Sequence, residues 1–223
     1  MRYVLTCHRF HTQKVIDMAF DVYEERLPIG IRRNPLIIMH GILGCKDEWR
    51  QFGERANSNR KIIALDARNH GESPYDENHT YPLMVEDVKL LFTKQKLQRA
   101  CLLGHSMGGQ TFAHLALKHP SLVEKLIIVD VSPITVPSAI RPLGDILNTM
   151  VQVQLPVNMT MCEARICVEK QLEKRIKDPR IRTSLLNNLI QQPDGRCSRF
   201  TVVAKHIKCY FQVFLEIKRF GVI

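Results

Sequence analysis

The chain has 223 residues, 45% hydrophobic and 24% charged, which is enough apolar material to bury one sizeable core in a single domain and excludes a disordered or low-complexity chain. No apolar run approaches bilayer-spanning length, so a soluble or peripheral protein is expected. The charge is basic, 32 Lys plus Arg against 22 Asp plus Glu, but the excess is spread over Arg32, Arg33, 170–182 and 205–219 without a nucleic-acid module, so a solvated surface is favoured over nucleic-acid binding.

A weak attraction to anionic membrane surfaces stays open. The 7 cysteines form no C-x-x-C pair and no zinc spacing, which points to free thiols in a reducing compartment and to no metal or other cofactor.

Residues 1–16 contain Arg2, Arg9 and Lys14 and no acid, a pattern that fits a short mitochondrial transit segment or an ordinary extension. Asp17 to Glu25 alternates like an early strand. Leu36-Ile37-Ile38-Met39 is continuously apolar, as in a strand buried on both faces of a parallel sheet, and ends in His40-Gly41-Ile42-Leu43-Gly44. The glycines of that loop let the backbone approach a substrate, so the amide of Ile42 or Leu43 is a candidate donor to a developing oxyanion.

Asp47 to Asn57 reads as a surface helix. A further strand, Ile62 to Leu65, runs into the turn-rich stretch Asp66 to Pro74. Asp66, Arg68 and His70 there are read as a structural hydrogen-bonded network, because they lie on a different loop from the nucleophile described next. Val85 to Lys96 reads as another surface helix.

Ala100-Cys101-Leu102-Leu103 is strand-like and is followed by Gly104-His105-Ser106-Met107-Gly108-Gly109 and a helical run to His119. A G-x-S-x-G segment at a strand-to-helix corner holds its serine hydroxyl clear of the fold, and the small flanking glycines relieve the crowding. Ser106 is therefore the candidate nucleophile. Met107 opens the helix, where an unpaired amide and the helix dipole favour negative charge. The strand Leu126 to Val129 ends in Asp130, on the ligand-binding edge of an open α/β sheet. Beyond it, segments at about 143–153 and 161–190 are helical in composition.

The set HGILG, DARNHGES, GHSMGG and VDVSP resembles the α/β-hydrolase superfamily over about residues 17–195. The resemblance implies an α/β-hydrolase fold with a mostly parallel sheet over 17–142, a helical cap over 143–195 and serine-dependent hydrolysis of carboxylic esters, including lipid esters such as diacylglycerols. It also implies a mitochondrial location. Ser106 matches the nucleophile, Ile42 and Met107 the oxyanion-hole positions, and Asp130 an acid after the sixth strand. The superfamily places its triad acid after either the sixth or the seventh strand, and no seventh-strand match is present.

The superfamily runs Ser, then Asp or Glu, then His. Residues 196–223 do not match it, so C-terminal strands are expected to be missing. Of the 9 histidines, His114, His119 and His206 follow Ser106. The first two are carried away from the nucleophile along its helix, which leaves His206 as a weak candidate base. Two functions therefore stand. One is a serine esterase or lipase that forms an acyl-enzyme. The other is a catalytically impaired isoform that acts only by binding.

Overall fold

The computed structural model describes residues 14–24, 33–132, 140–191 and 197–200. His206, residues 1–13 of the transit-type stretch and residues 201–223 of the tail lie outside them. The strands are β1 (Phe20–Tyr23), β2 (Leu36–Met39), β3 (Ile62–Leu65), β4 (Ala100–His105) and β5 (Val123–Val129). They form one sheet in the order β1-β3-β2-β4-β5, parallel except for β1, which runs antiparallel to β3.

Because side chains alternate along a strand, the two faces of the sheet make two cores. Ile37, Met39, Ile63, Leu65 and Leu102 join one core with Met84, Val88, Leu91, Phe112 and Leu115, carried by helices α2 (Tyr81–Lys94) and α3 (Met107–Lys118). Leu36, Ile38, Ile62, Cys101 and Leu103 form the other, against Tyr23, Trp49 and Ala56 beside α1 (Arg50–Ala56). Each such side chain removed from water contributes roughly 1.5–3 kcal/mol, which is why β2 and β3 are buried on both faces.

On the second face the cover does not extend over β5. Ile127 is 48% exposed and Val129 37% exposed, and among the described residues no strand pairs with the outer edge of β5.

Several boundaries differ from the sequence reading for local reasons. The early strand contracts to β1, four residues long. The surface helix expected from Asp47 is a single 3-10 turn, Lys46–Trp49, followed by α1. The helix expected from Val85 begins at Tyr81, because the Thr80 side chain accepts the Leu83 N–H and Pro82 fits the first turn.

The cap-like region contains α4 (Ile140–Val151), α5 (Met161–Glu173) and α6 (Pro179–Leu186). The stretch expected as one helix over 161–190 is broken, because Asp178 accepts the Arg180 N–H and Pro179 starts a new helix. Thr160 and Glu163 close a reciprocal capping box on α5. Beyond α6, β6 (Leu189–Gln191) pairs antiparallel with β7 (Cys197–Phe200), so the two strands lie on either side of the 195/196 boundary expected from the sequence.

Candidate active site

Ser106 lies between β4 and α3 with φ 50 and ψ −109. A non-glycine residue in this region costs roughly 1–3 kcal/mol and persists where its surroundings hold it. Here the Ser106 N–H donates to the Val129 carbonyl at 2.9 Å, and the Ser106 carbonyl accepts from the Gln110 N–H at 3.0 Å. That second bond is the first intrahelical bond of α3, so the amides of Met107, Gly108 and Gly109 precede the helical ladder.

The elbow needs its glycines because backbone passes backbone there. A Cβ on Gly104 would lie 2.4 Å from the Gly108 carbonyl carbon, and one on Gly108 would lie 2.4 Å from the Met39 carbonyl oxygen.

The loop after β2 abuts this corner. A Cβ on Gly41 would meet the His105 ring at 2.7 Å and Ser106 Cβ at 3.4 Å. Ile42 is half-buried, and Leu43, which follows it, is left-handed with φ 63. Leu43 is held at both ends: its N–H donates to His70 Nε2 at 3.1 Å, and its carbonyl accepts from Asn188 Nδ2 at 3.0 Å. The sequence offered no sign of Asn188, because α6 brings it to this loop from a distant part of the chain. His70 and Asn188 act here by fixing backbone.

His40 and His70 are fully engaged. His40 donates from Nδ1 to the Gly41 carbonyl at 2.6 Å and accepts the Ala67 N–H at Nε2 at 3.0 Å. His70 donates from Nδ1 to the Arg68 carbonyl at 2.9 Å. Burial disfavours the charged imidazole and lowers their pKa values to about 4 and about 3, so both are neutral at physiological pH.

The loop between β3 and α2 is the hydrogen-bonded network expected from the sequence. Asp66 accepts the N–H groups of Lys46 at 2.7 Å and Glu72 at 2.9 Å. Arg68 makes a two-pronged pair with Asp87, both contacts at 2.7 Å, and Asp87 also accepts the Ile16 N–H at 2.8 Å. A cavity of about 460 Å³ lies between this loop, the loop after β2 and the start of β6. Leu43, Lys46, Asp66, Glu72 and Asn188 line it, and Ser106 does not.

Asp130 follows β5 with φ 54, and its exposed carboxylate lies 3.8 Å from His105 Nε2. Thus Asp130 meets the imidazole next to Ser106 in sequence, a pairing the sequence reading missed. Adjacent positions on β4 and β5 signal it, since His105 and Val129 are in register. His114 stacks on Tyr81 with ring centroids 5.4 Å apart, and burial lowers its pKa. Among the described residues, none makes a side-chain hydrogen bond with Ser106, and no group of His, Cys, Asp and Glu side chains has the arrangement of a metal site.

An elbow of this kind on a parallel sheet defines a protein class, and the chain belongs to it: the family described as alpha/beta hydrolase fold matches residues 34–157. Among its relatives is the sn-1-specific diacylglycerol lipase ABHD11 of Xenopus tropicalis, 37% identical over 82% of this chain and 56% of that protein. Another is ethanol acetyltransferase 1 of Eremothecium cymbalariae, 30% identical over 81% of this chain and 53% of that one. The chain thus spans little more than half the length of these relatives. A solved structure described as a marine microorganism esterase superimposes with a TM-score of 0.77 at 26% identity, covering 89% of this chain and 73% of the other.

Proposed function

We propose that the protein is a serine hydrolase of carboxylic esters, acting on lipid esters of the diacylglycerol kind through an acyl-enzyme. Ser106 Oγ attacks the ester carbonyl carbon and passes its proton to a general base. The amides of Met107 and Ile42 donate to the oxygen as it becomes charged. The leaving alcohol departs with a proton from that base, and water then releases the acid by the same steps. The observation that carries this reading is the Ser106 backbone at the strand-to-helix corner, with Met107 opening α3 beside it.

Relatives named as a diacylglycerol lipase and as an ethanol acetyltransferase support acyl-transfer chemistry at this elbow. Asp130 is the proposed acid; the base is not assigned, and His206 is the weak candidate that the sequence leaves. The acid-free, basic N-terminus supports a mitochondrial address. Deleting residues 1–16 is expected to abolish import into isolated mitochondria, and undiminished import overturns that address.

The other reading of the sequence, a catalytically impaired isoform, is the alternative that the test decides. On this reading the chain keeps the elbow but acts only by binding. Labelling of the folded chain with a fluorophosphonate decides between the two. Labelling that is lost in Ser106→Ala supports the hydrolase, whereas equal absence of labelling in both proteins supports the binding reading.

A further inference from the structure

The edge of the sheet opposite Ser106 carries its own feature. Arg60 precedes β3, Arg33 precedes β2, Arg99 immediately precedes β4, and Lys125 lies near the start of β5. Strands β3, β2, β4 and β5 are consecutive neighbours in the sheet, and all four are parallel, so their N-terminal ends lie side by side. Four cations are therefore set along one edge, over about 14 Å at the usual strand spacing. All four line one open depression of about 520 Å³.

Within this depression the cations outnumber the carboxylates four to one. Among the described residues none of the four has an ion-pair partner within 4 Å, whereas Lys46, Arg68, Lys94 and Arg182 elsewhere on the molecule are paired. Glu124 is the one carboxylate in the lining, and it accepts a hydrogen bond from Asn34 Nδ2 at 2.7 Å. That bond, together with Lys125, Arg60 and Arg99, holds its carboxyl below the ordinary carboxylate range, so these cations act on the same small volume. Arg99 is also fixed by donating to the Val123 carbonyl at 3.0 Å.

We propose that this depression binds a multivalent anion of the phosphate class. Guanidinium groups match phosphate oxygens in two-pronged fashion, and three of the four cations are arginines. The lining has no aromatic side chain, so it offers no platform for stacking nucleobases. Its position opposite the elbow also favours a soluble anion over a lipid headgroup. A bilayer bound at this edge would leave Ser106, at the C-terminal edge, facing away from it.

The test is titration of the 223-residue chain with sodium pyrophosphate, followed by calorimetry and thermal unfolding against sodium chloride of equal ionic strength. Saturable binding is expected, with a rise in Tm. Arg60→Gln/Arg99→Gln is expected to weaken it by at least about tenfold, since each charge-assisted contact is worth about that much. Arg165→Gln/Lys170→Gln removes two exposed charges from the cap and is expected to leave binding unchanged. Glu124→Gln is expected to tighten it by removing the competing carboxylate.

Equal weakening by both double variants would overturn the site in favour of diffuse electrostatics. Absence of saturable binding overturns it outright. If pyrophosphate fails but phosphatidylcholine vesicles containing phosphatidic acid bind in an Arg60- and Arg99-dependent manner, the edge is a membrane contact instead.

Discussion

Asn188 and Leu43 are joined across 145 residues of sequence by a hydrogen bond from the Asn188 side chain to the Leu43 carbonyl. The bond ties the segment after α6 to the loop that presents the Ile42 amide, and with His70 it holds the left-handed Leu43 from both sides. Removing it frees a backbone that must otherwise keep a sparsely populated conformation. Asn188→Ala is expected to slow fluorophosphonate labelling by about three- to tenfold while circular dichroism stays unchanged. An unaltered labelling rate would show that Leu43 needs no clamp.

The contact of Gly108 with Met39 makes a second prediction. A methyl group at position 108 would lie 2.4 Å from the Met39 carbonyl oxygen, and neither backbone can yield without moving α3 away from β2. Gly108→Ala is expected to cost about 1–3 kcal/mol of stability, read as a lowered Tm and denaturation midpoint. Labelling of Ser106 is expected to slow as well, because the same shift separates the elbow from the loop after β2 that carries the proposed Ile42 donor. A Tm equal to that of the parent would refute the close packing.

Stability is expected to fall on mild acidification. His40 and His70 have folded-state pKa values of about 4 and about 3 because burial opposes their charge, whereas unfolded imidazoles titrate near about 6.5. Above that value both states are neutral and nothing is lost. Below it the unfolded state binds up to two more protons, so stability falls by up to about 2.7 kcal/mol per pH unit until the folded values are reached. Tm should stay nearly level from about pH 7.5 to about pH 6.5 and then fall toward about pH 4.5, and His70→Gln, whose amide oxygen can still accept the Leu43 N–H, should reduce that slope by about half. A flat Tm across this range would contradict the assignment.

The uncovered face of β5 makes the last prediction. Ile127 and Val129 stand exposed on a strand whose outer edge is unpaired among the described residues, which invites association between chains. Ile127→Lys/Val129→Lys is expected to raise the monomer fraction in light scattering without lowering Tm. If the parent chain is itself monomeric at high concentration, this face does not drive self-association.

Much of this molecule was legible in its sequence, because the signals were local. Continuous apolar runs of four residues gave the buried parallel strands, and Gly-His-Ser-Met-Gly between a strand and a helix gave the elbow, since only small residues tolerate that crowding. The network around Asp66 and Arg68 was readable as structural from its place on a separate loop. Helix ends were less legible where one capping residue decided them, as at Thr80 and Asp178.

What tertiary structure alone decided were pairings between distant residues. Asn188 reaches Leu43 because α6 returns to the core. Asp130 meets His105 because β5 lies in register beside β4. The row of Arg33, Arg60, Arg99 and Lys125 exists because four neighbouring strands run parallel and bring their N-terminal ends to one edge. The sequence determined which strands, elbow and charges the protein would have. Their neighbours followed from sheet order and packing, because hydrogen bonds and charges act over a few ångströms of space, however far apart the residues stand along the chain.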